Sequence, residues 1–317
     1  MWIMREDAPG RSRTILPSLT PLVVAPFFGE VLSTATAPLD MLLPWNLALL
    51  VGMYGCGALL CREVAHRYGL GWPGLLLLGA AYGVYEEGLV DRFWYDPSYW
   101  AEVGVGDYSV VWHVNVLIAT HPTIFHAAVS IVAAIVVVER LFPHPACPVV
   151  DRAGRDGAVW RCHGRRAVRL LGGVLPPAGP GPPRGCAAVR PAGPRSILGA
   201  GHATAARPSD PGSARLGLIA FVCTAVHFAS VYSIPSTGLP WPIGVALSLV
   251  PVAIGILLVR RRATGGLEGP DALRVVTGIV TFFLLLNLFL GLGGRYDMTL
   301  AALGMGFLLW RLQRQPA

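Results

Sequence analysis

A chain of 317 residues with 54% hydrophobic and only 14% charged side chains, at a mean hydropathy of +0.56, has too little polar surface to fold as one water-soluble core. It reads as a polytopic membrane protein. The net charge of +7 rests on 25 basic residues, all arginine and spread along the chain with no groove-reading or base-stacking motif, so nucleic-acid binding is excluded. No Walker loop is present to hold a nucleotide.

The opening "MWIMREDAPGRSR" mixes acid and base before any apolar run, so it does not read as a cleavable signal peptide. Runs able to cross about 30 Å of hydrocarbon follow at 15–36, 42–62, 72–93, 114–139, 215–234, 240–260, 272–292 and 297–311. The expected fold class is therefore all-α, a transmembrane bundle of about eight spans.

Arginine placement orients it. Arg5, Arg11 and Arg13 precede the first span, Arg62 and Arg67 follow the second, a dense set follows the fourth, and Arg260, Arg261, Arg262 and Arg274 join the sixth to the seventh. Arg311 and Arg314 come last. Alternate loops carry little charge or the opposite sign, so both termini are expected in the cytoplasm, with a bacterial inner membrane as the host bilayer. Trp45, Trp94, Trp100, Trp112 and Trp241 fall at the expected outer boundary, where an aromatic belt belongs.

Three regions are expected: membrane helices over 1–142, a cytoplasmic loop over 143–214, and membrane helices over 215–317. The loop is rich in Pro, Gly, Ala and Arg without sustained periodicity, which reads as disorder beside anionic lipid. The same composition also fits a frame-shifted stretch of a GC-rich gene, an idea that an intact reading frame through codons 150–210 would end. The six cysteines lie scattered and form neither a disulfide framework nor a zinc motif.

Counting depth from the helix ends brings unusual residues to one level in the outer half. Glu86 and Glu87 of "YGVYEEGLVD" lie roughly 20 Å above the inner face, with Glu30, His126, His227 and Asn287 at about that depth and His121 and His113 nearer the outer surface. On an α-helix, Glu86 and Glu87 diverge by about 100° and point differently. Glu87 shares its face with Gly79 and Gly83, a spacing that admits another helix closely, so Glu87 is expected to be the more enclosed of the pair. Intramembrane carboxylates and imidazoles cost so much in lipid that they mark functional sites. Glu86, Glu87, His126 and His227 are the candidate catalytic residues, and Glu30, Glu87, His126 and His227 are candidate ligands for a divalent metal.

The order Glu-Glu, His, His across consecutive helices resembles the CAAX-protease and bacteriocin-processing family of intramembrane proteases. Its motifs are only partly reproduced: Arg92 stands one residue beyond the family's arginine, His126 adjoins Phe125 directly, and Val231 stands where the family carries Asn. The resemblance implies an intramembrane hydrolase acting on a membrane-embedded substrate, with a Glu activating water and the His residues orienting or polarising. The chain also resembles uncharacterised bacterial multi-pass membrane proteins. A proton- or cation-coupled secondary transporter and a non-catalytic scaffold are the competing classes.

Overall fold

Proline and glycine punctuate described residues that are otherwise helical almost throughout, and the places where they fall decide how the site is built. The computed structural model describes residues 12–142, 211–262, 267 and 269–315. The described residues on either side of 143–210 belong to one contact unit. The expected loop up to residue 210, its frame-shift reading, and His144, His163 and His202 lie outside the described residues.

Five helices are long and apolar enough to cross a membrane: Pro44–Arg67, Val116–Leu141, Arg215–Thr237, Trp241–Arg262 and Gly269–Leu292. The protein is a multi-pass membrane protein. The other three expected spans also form helices, at 12–31, 72–90 and 296–314, but they are not among the five.

In the second half, the 211–233 helix packs against both 241–262 and 269–292, and 269–292 packs against 296–314. In the first half, the 72–85 helix lies along 126–133, and the 12–26 helix lies against 51–55 and 134–141. The close approach of the 72–85 helix follows from its glycines. A Cβ on Gly79 would meet the Ala127 backbone at 2.9 Å, and one on Gly83 would meet Thr123 Cα and His126 Cβ at 3.0 Å. The continuous core runs from Phe28 and Val31 through Ile131 and Ile135 to Val280, Met298 and Leu312. One end is pinned by Arg62 on Glu139 at 3.4 Å and by Arg140 donating to the Gln315 carbonyl at 2.7 Å.

A smaller core forms the cap at the other end, where Trp100 packs with Val105, Leu117, Ile118, Val231 and Val245. Trp100 is buried and donates its indole N–H to the Phe93 carbonyl at 2.7 Å. It is therefore a packing residue of the cap and not a member of an aromatic belt. Trp45 and Trp112 are 83% and 92% exposed, as belt residues would be. Trp112 and His113 form the two-residue turn of a short antiparallel hairpin, Val110–Val111 with Val114–Asn115, both at positive φ (48° and 65°). Buried Asn115 ends that hairpin and caps the next helix, accepting from the Ile118 N–H at 3.2 Å.

Candidate functional site

Among the described residues four helices widen into π turns, at Phe27–Val31, Val51–Gly55, Glu86–Val90 and His126–Ala133. Each turn carries a polar side chain of the same neighbourhood: Glu30, Tyr54, the pair Glu86 and Glu87, and His126. A π turn replaces the i→i+4 bond with i→i+5 and recurs at functional sites. The local sequences favour it. Pro26 precedes the first turn, Gly29, Gly52, Gly55 and Gly88 lie within the first three, and Pro122, which has no N–H to give Ile118, precedes the fourth.

The centre is Glu86, Glu87 and His126, with residue exposures of 1%, 7% and 2%. His126 Nε2 lies 2.8 Å from Glu86 Oε2 and 2.9 Å from Glu87 Oε1. Both carboxylates thus converge on one imidazole nitrogen, contrary to the divergence expected of an α-helix. The π turn beginning at Glu86 breaks the 3.6-residue period, and both glutamate side chains are long enough to reach the one nitrogen. Glu86 is also the more enclosed of the two, reversing the expectation from the Gly79–Gly83 face. Those glycines do face the helix bearing His126, but Tyr54 on a third helix closes over Glu86.

The far atoms of the centre are held from outside it. The Tyr54 hydroxyl donates to Glu86 Oε1 at 2.5 Å, and His126 Nδ1 pairs with Ser130 Oγ at 3.0 Å. The rings of Tyr54 and Tyr82 flank the His126 imidazole at 5.8 and 5.9 Å between centroids. Glu86 Oε2 and Glu87 Oε2 are buried without a hydrogen-bond partner. The ligand atoms of Glu86, Glu87 and His126 all lie within 4.8 Å of one another, so these three residues can hold a metal ion. Toward the cap, Tyr99 feels this charge: burial raises its phenol well above the ordinary value, with the Glu87 carboxylate the next cause.

The other sequence candidates make their hydrogen bonds outside this trio. Glu30 accepts from Thr36 Oγ1 at 2.5 Å, and its own carbonyl takes the Ser33 hydroxyl. Asn287 donates to the Leu32 carbonyl at 3.2 Å and the Phe283 carbonyl at 3.0 Å, tying off the end of the first helix. His227 pairs with His121, Nε2 to Nδ1 at 3.1 Å, and its Nδ1 lies 2.7 Å from the Ser248 carbonyl. A carbonyl only accepts, so Nδ1 of His227 carries the hydrogen. In the neutral ring, Nε2 then accepts from His121 Nδ1–H. The order of donors is fixed from Ser248 outward and leaves His121 Nε2 as an acceptor. Phe228 and Tyr232 lie edge-on to the His121 ring.

Residues 20–163 match the family model of an uncharacterized membrane protein family. No curated protein and no solved structure matches the chain. The comparisons give the likeness to the CAAX-protease family no support. The matched span contains Glu30, Tyr54, Glu86, Glu87, His121, His126 and Ser130, so the whole carboxylate centre and its two outer partners fall inside it. His227, Ser248 and Asn287 lie beyond it.

Tyr54 is the site residue the sequence reading does not single out. Tyr54 had a signal: a lone phenol in the apolar stretch "LALLVGMYGCGALL", between two glycines and far from either helix end. His121, which its height places nearer the outer surface, is instead tied to His227.

Proposed function

We propose that the protein is an intramembrane hydrolase of eight spans, both ends cytoplasmic, acting on an amide or ester of a membrane-embedded substrate in the outer half of the bilayer. The observation that carries this reading is the convergence of Glu86, Glu87 and His126 at 2.8 and 2.9 Å in a buried setting, where structural hydrogen bonding alone would not require two carboxylates. Glu87 is the base: its Oε2 has no partner, whereas Glu86 is held by Tyr54. The water proton passes to Glu87 as the water oxygen bonds to the carbonyl carbon, and the same proton then leaves with the departing amine or alcohol. His126, braced by Ser130, keeps Glu87 aimed. The His121–His227 pair offers a fixed acceptor to orient the substrate.

Membranes of cells making the wild type, Glu87→Gln or His126→Gln are compared by peptide and lipid product profiling. Products present only with the wild type are expected, and identical profiles in all three would overturn hydrolysis. A pH-gradient-driven flux in proteoliposomes, lost in Glu87→Gln while profiles stay identical, would place the centre in a proton-coupled transporter instead. For the topology, reporter fusions after Arg67, Pro97, Pro211 and Arg262 should read inside, outside, inside and inside. An outside signal at Arg262 would reverse the second half.

A further inference from the structure

We propose that Glu86 Oε2, Glu87 Oε1 and His126 Nε2 are three ligands of one first-row divalent transition-metal ion of the zinc, manganese or iron class. The inference deepens the hydrolase reading at the same centre, where the ion would activate the water, but its geometric grounds do not depend on hydrolysis.

The first ground is a count of protons. His126 Nε2 has at most one hydrogen to give and faces two carboxylate oxygens at 2.8 and 2.9 Å. One oxygen is served and the other meets either a lone pair or the back of a bond already made. With Nε2 paired to Glu87 Oε1, Glu86 Oε2 is left buried without a hydrogen bond, and Glu87 Oε2, which does not face Nε2, is a second such atom, the arrangement that folded proteins otherwise avoid.

The second ground is charge. Two ionised carboxylates beside an imidazolium leave one negative charge uncompensated inside the membrane. Two carboxylates, a neutral imidazole and a divalent cation sum to zero, as would an imidazolium beside one carboxylate and one protonated carboxyl, and the metal measurement below separates the two. Arginine does not fill that role: the ion pairs recorded for arginine among the described residues go to Glu139, Asp271 and Asp297.

The third ground is geometry and support. Adjacent ligand atoms around a six-coordinate ion with bonds of ~2.05 Å lie about 2.9 Å apart, which is the spacing of Nε2 from both oxygens. A four-coordinate ion would require the same atoms to open by about half an ångström. Metal-bound histidines use their second nitrogen on a neighbouring acceptor, and ligating carboxylates accept a further hydrogen bond. Ser130 at 3.0 Å from His126 Nδ1 and Tyr54 at 2.5 Å from Glu86 Oε1 occupy those two places. The imidazole nitrogen among the ligands favours a transition metal over magnesium or calcium.

The test uses the full chain purified without chelators in detergent micelles, with metal content measured by mass spectrometry and Zn2+ and Mn2+ affinity measured by competition against an indicator. One ion per chain is expected. His126→Phe and the Glu86→Gln, Glu87→Gln double variant should reduce occupancy at least tenfold, and Tyr54→Phe should weaken affinity by about 10–100-fold. His113→Phe, at the exposed tip of the hairpin, should bind like the wild type and serves as the folding control. No stoichiometric ion and no binding of either metal at millimolar concentration would overturn the proposal, as would binding indifferent to His126→Phe. Glu87-dependent products without metal would leave a metal-free hydrolase; metal without products would leave the metal site and remove the hydrolase.

Discussion

His126→Phe should lower the unfolding free energy of the bundle by about 3–5 kcal/mol, the range for breaking a buried charged pair by removing one partner. The size follows from what remains. Glu86 and Glu87, 1% and 7% exposed, would face a phenyl ring, with the Tyr54 hydroxyl still serving Glu86. Phe fills nearly the same volume, so the loss would not be one of packing. The same replacement in a chain also carrying Glu86→Gln and Glu87→Gln should cost far less, because no charge is left unpaired. His113→Phe, at the exposed tip of the hairpin, should change nothing measurable. Unfolding by titration with a denaturing detergent checks all three. A His126→Phe curve that overlays His113→Phe would show that the carboxylates do not depend on the imidazole.

Why this centre was legible in advance, and where the reading stopped, comes down to which coordinate of a helical residue a sequence fixes. Depth is fixed by counting from a helix end at a constant rise, and it brought Glu86, Glu87 and His126 to one level before their contacts were known. Azimuth is fixed only if the helix keeps its 3.6-residue period. At Glu86–Val90 and His126–Ala133 it does not, so two residues expected to diverge both meet His126.

Helix neighbours are a third coordinate, and depth says nothing about them. His227 is counted to the right height, but on the 211–233 helix it meets His121, which precedes His126 on the 116–141 helix. Asn287 likewise reaches the level of the site and serves a backbone carbonyl there. Tyr54 went unremarked because a phenol in an apolar run is ordinarily a packing residue, and its role appears only once the Glu86 carboxylate is seen opposite it.

Gly278→Ala should destabilise the bundle by about 2–3 kcal/mol, although the same change in an open helical position gains close to 1 kcal/mol from propensity. The sign is reversed by the crossing of the 211–233 and 269–292 helices. A methyl group on Gly278 would overlap the Gly217 carbonyl oxygen and come within 3.0 Å of Ala220 Cβ. What stands in the way is backbone, which cannot turn aside as a side chain can, so the helices must separate and forfeit contacts along their length. Gly304→Ala is the control, since nothing lies within 4 Å of the Cβ it would add. The displaced 211–233 helix carries His227 about 15 Å further along, at 1.5 Å per residue, so even a small tilt at Gly217 is enlarged at the His121–His227 contact. Gly278→Ala should therefore loosen that 3.1 Å pairing while leaving Glu86, Glu87 and His126, on other helices, in place. Detergent-denaturation curves test the stability, and a shift of Gly278→Ala in the same stabilising direction as Gly304→Ala would disprove the crossing.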